Sequence, residues 1–403
     1  MPSAQVDPRP PIPAPYRTVE RVAIQEMARD FAMSRVLPLA NRLDPEHGLI
    51  PDDLREQMGE LGFFGIMMPE RNGGLGLGAF EYVLITEELA RAWMSVASII
   101  ARSGIALSLD PAQREKYLPL AAKGEWLGCF AMSEPGAGSD IASIRTRAHR
   151  TEGGWLLTGQ KMWCTFADQA DAILVVARNK PYDPADRRSG IRRFVVHKTR
   201  GEFPEGVSGS PIRKIGYHGW RTFELSFDEC FVPDDCLVGH HRTGTVDDTG
   251  FKQAAAAMTI PRIHTAARSI GLARGALEDS ITYAQQREQF GRPIGDFQVT
   301  RFKIAAMASE IEACRALMYQ VAANADAGER SDMGAAMVKY LASEMSEKVT
   351  SEALQIHGGA GYTTDLPIER YWRDARLTKI FEGTSEIMQR IISNQLLPPS
   401  PLG

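Results

Sequence analysis

The apolar residues of this chain repeat first with a helical period, then with a strand-like one, then with a helical one again. That order limits the architectures open to it. From about Val19 to about Gly128 the spacing is helical. "TVERVAIQEMARDFAMSRVLPLANRL" carries apolar residues at helical spacing, and "PDDLREQMGELGFFGI" opens on a proline with acidic residues in its first turn, a helix start. "AFEYVLITEELARAWMSVASIIARSG" reads as one long apolar helix. From about Cys129 to about Gly239, "WLLTGQKMWCTFADQADAILVVAR", "IRRFVVHK" and "FELSFDECFV" are short β-prone runs. Glycine-rich or charged turns part them, as in a small β-domain. From about Gly250 onward three long helical patterns follow. The prolines of the first stretch read as an extended arm preceding the fold. The predicted divisions are an arm over 1–18, a helical domain over 19–128, a β-domain over 129–240 and a helical bundle over 241–403: an α+β multidomain protein.

Charge excludes some partners. The chain carries 46 basic and 50 acidic residues, a net of -4, with no basic field. Neither nucleic acid nor an anionic membrane is an expected partner. The longest apolar stretches fall short of a membrane span, and the start lacks the apolar core of a signal peptide. Cys129, Cys164, Cys230, Cys236 and Cys314 form no CxxC pair. An odd, scattered set argues for a reducing compartment, the cytoplasm, and against a metal site or disulfides.

Several stretches can carry chemistry. "SEPGAGSD" (Ser133 to Asp140) opens the β-zone. Its glycines let the backbone approach a ligand, and successive N–H groups can nest an anion; a plain turn reads the same way. It is not a dinucleotide fingerprint, since the third glycine would fall on Ile141. "GGLGLG" (Gly73 to Gly78) follows no strand and reads as a loop before a helix. In "GQKMWCT", Trp163 and Thr165 lie two apart in a strand and share a face, suiting either a flat heteroaromatic ring or a sheet core. "QREQFGRPIGDFQ" joins two helices and carries Arg287, Phe290 and Gln298. "LQIHGGAGY" ends a helix in glycines whose backbone groups can meet a phosphate or cap the helix. "KIFEGTSEIM" sets Glu382 between Phe381 and Gly383, with Thr384 and Ser385 as caps for the next helix. Such a carboxylate is either a surface cap residue or a desolvated base with a raised pKa, suited to a weakly acidic C–H. Finally, "WMSVASIIARSGIALSL" buries one full charge, Arg102, in an apolar run. It either faces an anion or ends a helix, with Gly104 as cap.

In order and spacing, "SEPGAGSD", "GQKMW" with Thr165 beyond it, "QREQFGRPI", "IHGGAGY" and "FEGTSEI" resemble signatures of the acyl-CoA dehydrogenase family, from about Val19 to about Leu397. The resemblance implies an N-terminal helical domain, a central β-barrel-like domain and a C-terminal four-helix bundle, with FAD between the last two. Phe130, Met132, Ser133, Gly138 and Ser139 match the family's first flavin segment, and Trp163, Cys164 and Thr165 its second. Thr384 and Glu386 match contacts beyond the base. Arg287, Phe290, Gln298, Gln355, Gly358 and Gly359 match positions that reach the FAD of a neighbouring subunit, which implies a homo-oligomer, usually a tetramer. Glu382 falls on the base that takes the α-proton of an acyl-CoA thioester, while the β-hydrogen leaves as hydride to the flavin, giving a 2,3-enoyl-CoA. The Glu382 backbone N–H would hold the thioester oxygen. Some relatives place the base before an arginine on another helix; here that position is Pro261, before Arg262, which keeps the family arginine near CoA. The proline should kink or start a helix. Phe381 stands where a tyrosine is common, and Ser139 and Gly383 flank the implied substrate.

The run around Arg102 matches the helix under the family's acyl pocket, with Ala97, Ser98, Ala101 and Arg102 facing it at helical spacing. Relatives acting on straight neutral chains carry small or neutral residues where Arg102 falls. An arginine there could pair with a distal carboxylate, a task its fork suits. "ARSGIA" is also similar to this helix in dehydrogenases for 2-substituted succinyl-CoA thioesters, such as methylsuccinyl-CoA and benzylsuccinyl-CoA. The expected substrate is therefore a short, branched dicarboxylic acyl-CoA, and the expected acceptor an electron-transferring flavoprotein. The alternatives are a neutral short- or branched-chain or glutaryl-CoA dehydrogenase, an acyl-CoA oxidase, a flavin monooxygenase and a nucleic-acid-binding relative.

Overall fold

A computed structural model describes residues 11–239, 258–329 and 331–397. In chain order its helices are α1 (Val19–Phe31), α2 (Leu37–Leu43), α3 (Asp52–Glu60), α4 (Ala79–Ala92), α5 (Met94–Ile99) and α6 (Pro111–Ala122). After the sheet come α7 (Thr259–Gln286), α8 (Gln298–Asp326), α9 (Asp332–His357), α10 (Ile368–Thr378) and α11 (Ser385–Leu396). The strands are β1 (Gly128–Ala131), β2 (Arg147–Thr151), β3 (Gly154–Thr165), β4 (Ala172–Arg178), β5 (Ile191–His197), β6 (Val207–Ile212), β7 (Thr222–Pro233), β8 (Glu288–Gln289) and β9 (Arg292–Pro293). Two compact units share the chain. One is helical and takes residues up to Pro45, Gly78–Ala97 and Arg262 onward; the other holds the large sheet and takes Glu46–Leu77 and Ser98–Pro261.

The helical unit is organised around α4, which is buried on every side. Its N-terminus is closed by a residue far away in sequence: the Asp326 carboxylate accepts from the N–H groups of Ala79 and Phe80. A helix buried all round should be apolar, yet α4 carries Glu87, Glu88 and Arg91. Each meets an opposite charge. Arg274 reaches Glu88 at 2.5 Å and Glu87 at 3.3 Å, Arg315 reaches Glu87 at 2.9 Å, and Arg91 reaches Glu278 at 2.7 Å. Burial pushes the Glu88 and Glu278 carboxyls up, but Arg274 and its neighbours outweigh it and hold both below the usual range. Residues ahead of α1 belong to this packing. Ile12 is buried and the Tyr16 ring lies 5.2 Å from that of Phe80, so this part of the expected arm is seated on the helices; residues 1–10 lie outside the described residues.

The run from Ala79 to Gly104 is not the single helix its pattern predicts. Helical hydrogen bonding stops at Trp93, whose backbone is extended (φ -160, ψ 115). This turns the indole into the core, and Arg370 on α10 donates to the Ala92 carbonyl that the break frees. After the short α5 the chain tightens into a 3-10 helix over Ile100–Ser108. Gly104 lies inside it and caps nothing.

The sheet unit has seven strands in the order β1-β4-β2-β3-β7-β6, with β5 on the other side of β4. β4 is paired on both sides and buried throughout, which explains its unbroken apolar sequence. The long β3–β7 pair is interrupted by irregularities between Leu157 and Gly159 and between Lys161 and Cys164. The 3-10 segment backs β1: a side chain at Gly128 would meet Ile105 at 2.5 Å. This is the fold expected from the sequence, helices before and after a central sheet. Among the described residues no helix is long and apolar enough to cross a membrane.

Glu88→Ala removes a buried partner from Arg274. The expected loss is about 3–5 kcal/mol, read as a lower thermal unfolding midpoint, because an uncompensated buried charge remains.

Candidate functional site

In the helical unit, the turn between α10 and α11 presents Glu382 with its backbone in the left-handed region (φ 54), followed by Gly383 (φ 94). A glutamate rarely adopts this conformation, so surrounding contacts must hold it. They come largely from α9. Lys339 Nζ donates to the Gly383 carbonyl at 2.6 Å, Ser343 Oγ to the Thr378 carbonyl at 3.0 Å, and Ser385 Oγ to Glu344 at 2.6 Å. Thr384 caps α11 by accepting from Ile387 N–H, as its sequence position predicts.

The Glu382 carboxylate is itself held. Arg268 donates to it at 2.8 Å, and the Thr265 hydroxyl donates to its other oxygen. The Arg268 guanidinium also lies over the Phe381 ring, 4.5 Å from its centroid. The expected raised pKa is not what results. Burial pushes Glu382 up, but Arg268, His264 and the Thr265 bond together hold it below the usual carboxylate range. The motif "FEGTSEI" shows nothing of Thr265, Arg268 or Lys339. The available signal was polar residues inside buried helices: Thr265 and Arg268 three apart on α7, Lys339 and Ser343 four apart on α9. Arg262 sits at the start of α7, nearly buried, and burial pushes its guanidinium down against the opposing pull of Asp332. Pro261 lies in the first turn of α7, so it starts this helix rather than kinking it.

In the sheet unit the two expected flavin segments are tied together. Met162 N–H donates to the Ser133 carbonyl, and Lys161 Nζ to the Met132 carbonyl at 3.0 Å and to Glu134 at 2.8 Å. Glu134 also accepts from Arg145 N–H, Thr146 N–H and the Thr146 hydroxyl. Lys161 leads the groups that hold Glu134 below the usual range against its burial. Ala137 is anchored in a small core with Ile144, Val176 and Ile191, while Gly138 and Ser139 stand exposed. Beside this loop, Phe130 is 40% exposed on a strand whose other residues are buried. Trp163 is 57% exposed, turned out by a left-handed backbone (φ 62) at the β3 irregularity. Cys164 points into the core and Thr165 is half-buried. Exposed aromatic faces, hydroxyls and a glycine loop with open space at Gly136 and Gly138 suit a flat heteroaromatic ring and a phosphate chain.

Ala97 and Ser98 are buried in α5, with the Ala97 carbonyl 3.0 Å from His264 Nε2. Ala101 and Arg102 follow in the 3-10 helix and are half-buried, so the four do not share one face of an α-helix. Arg102 makes no ion pair or hydrogen bond among the described residues. Its charge is felt at Cys164, whose thiol is raised well above its ordinary value by Cys129 and by burial, with Arg102 opposing. Arg287, Phe290, Gln298, Gln355, Gly358 and Gly359 are all exposed on the helical unit. Phe290, 94% exposed, sits with Gly291 in a tight turn between β8 and β9, both in the left-handed region. Glu386 is exposed in the first turn of α11.

Three family models match the chain: acyl-CoA dehydrogenase N-terminal domain over 18–125, middle domain over 129–230 and C-terminal domain over 248–397. A 3-(aryl)acrylate reductase of Clostridium sporogenes is 37% identical over 95% of this chain and 100% of its own length. A (2S)-methylsuccinyl-CoA dehydrogenase of Cereibacter sphaeroides is 38% identical over 93% of this chain and 69% of its own. Among solved structures, butyryl-CoA dehydrogenase from Megasphaera elsdenii superposes with a TM-score of 0.87 at 32% identity, covering 94% of this chain and 99% of that one.

Lys161→Met would leave Glu134 buried without its cation and loosen both segments. Flavin retention, measured as the ratio of flavin to protein absorbance on dilution, is expected to weaken at least about tenfold, roughly 1.4 kcal/mol.

Proposed function

Because this chain belongs to the acyl-CoA dehydrogenase family, whose members are FAD-dependent oxidoreductases that dehydrogenate acyl-CoA thioesters, we propose that Glu382 is its α-proton base and that its acyl group is short, branched and dicarboxylic. FAD, when bound, supplies the acceptor for the β-hydrogen. Phe130, Met132, Ser133, Gly138 and Ser139, with Trp163 and Thr165, would hold it on the sheet unit, while the Cys164 side chain, turned into the core, supports the segment from behind. Glu382 takes the α-proton, and its carboxylate becomes a neutral acid as charge moves onto the thioester oxygen. The Glu382 backbone N–H has no acceptor among the described residues, which supports its donation to that oxygen. On the helical unit, Phe381, Gly383 and Arg262 would line the thioester and CoA.

The substrate class rests on one observation: Arg102 is a half-buried arginine with no ion pair among the described residues, near Cys164 of the second flavin segment. A charge so placed favours an anionic partner, and a planar fork favours a carboxylate. The likeness to a methylsuccinyl-CoA dehydrogenase supports the same class. The acceptor is an electron-transferring flavoprotein. The exposed Arg287, Phe290, Gln298, Gln355, Gly358 and Gly359 form the contact of a homotetramer in which each subunit completes another's flavin site.

Two variants test these roles. Glu382→Gln should lower kcat by about 10²–10⁴-fold while retaining flavin; retained turnover would remove Glu382 as base. Arg102→Leu should lower kcat/KM on methylsuccinyl-CoA by about 1.5–3 kcal/mol and leave butyryl-CoA little changed. Equal values for wild type and variant on the dicarboxylic substrate would sink the substrate class. Anaerobic bleaching by a panel of acyl-CoA thioesters, followed by air or an electron-transferring flavoprotein, separates dehydrogenase from oxidase.

A further inference from the structure

We infer that Arg268 is the positioning residue of the base: with Thr265, one turn earlier on α7, it clamps the Glu382 carboxylate at the tip of a left-handed turn. The inference rests on reading Glu382 as the base. The geometry carries it. Arg268 and Thr265 each take one carboxylate oxygen, and Arg268 Nη2 also donates to the Thr265 hydroxyl at 3.0 Å, so the three groups form a closed triangle. The Arg268 side chain is 2% exposed, whereas that of Glu382 is 30% exposed. The cation is thus fixed in the wall, and the exposed part of the pair belongs to the Glu382 side chain. Phe381, the residue before the base, lies on the guanidinium face and keeps it in plane.

The clamp has a chemical consequence. When the α-C–H bond breaks and its proton joins a Glu382 oxygen, the electron pair stays with the substrate to form the new Cα–Cβ π bond, the β-hydrogen leaving with its own pair to the acceptor that FAD would supply. The carboxylate loses its charge and its pull on Arg268. The positive charge in the wall is then faced by the charge developing on the thioester oxygen. Arg268 therefore keeps the base ionised before reaction and remains as a cation behind the reacting centre afterwards.

Besides Arg268, the charges that act on Glu382 are His264 on α7 and Lys339 on α9. Lys339 in turn feels Glu344 on α9 and Glu386 on α11, and Lys379 on the turn pairs with Glu344. Lys339 is pushed down to about 8 by burial, against the pull of Glu382. Its titration falls on the alkaline side and does not overlap the acid limb of Glu382.

The test is the pH profile of kcat/KM, whose acid limb reports the base of the free enzyme. Arg268→Gln removes the charge and keeps a donor. The acid limb should move up by about one pH unit or more, the direction expected when an opposite charge within hydrogen-bond distance is lost. Arg268→Lys should return most of that shift, and Thr265→Val should move the limb the same way by less. A merely structural role would lower activity at every pH and leave the limb in place; a folded, flavin-bound Arg268→Gln enzyme with an unshifted limb overturns the inference. If Arg268→Gln does not fold, Thr265→Val decides, and an unshifted limb there overturns it equally. Exchange of the substrate α-proton in D₂O separates this from the parent reading. Exchange retained by Glu382→Gln defeats the base assignment; exchange abolished, with no limb shift in the Arg268 variant, defeats the clamp alone.

Discussion

The helical unit is held in register by a layer of buried charge. Glu87, Glu88 and Glu278 stand where apolar residues would be expected, and each needs a cation within reach. Those cations come from four elements: Arg29 on α1, Arg91 on α4, Arg274 on α7 and Arg315 on α8. Apolar side chains tolerate a small rotation of a helix; a buried ion pair at 2.5–2.9 Å does not. Fixing α7 by Arg274 fixes Thr265 and Arg268 six to nine residues earlier. The position of Glu382 is thus a consequence of packing chemistry far from it.

The sheet unit solves its own problem in the same way. Its loop after β1 is rich in glycine and would have little shape alone. Glu134 gives it shape by taking Lys161 and a set of N–H and O–H donors out of competition with water. The price is two buried charges; the return is that the loop after β1 and the irregular end of β3 move as one piece. Trp163 can then be held outward in a left-handed backbone that a free strand would not adopt.

Periodicity was legible where it was carried by burial. The alternation of helical and strand zones followed directly, as did α3 from its proline and acidic first turn, and the cap at Thr384. It failed where tertiary contacts overrode local preference. "ARAWMSVASI" is apolar at helical spacing, and nothing local says that Trp93 leaves the helix; that depends on Arg370 taking the Ala92 carbonyl. Strands β1, β2 and β6 are short, with few residues in which to show a pattern. At the site, Glu382 could be picked out because its motif is contiguous. Its partners could not, because Arg268 lies 114 residues away and reads as one more charge on a helix. The expectation of a raised pKa followed from burial alone, and only the fold supplies the cation that reverses it.

That reversal bears on what Glu382 can do. A carboxylate held below its usual pKa is a weaker base toward a C–H bond, so the cation lowers basic strength. Burial alone would push Glu382 the other way, toward the protonated form that can take no proton. Arg268 and Thr265 oppose that by fixing one carboxylate oxygen each. The clamp therefore exchanges basic strength for a carboxylate that is charged and held in one place.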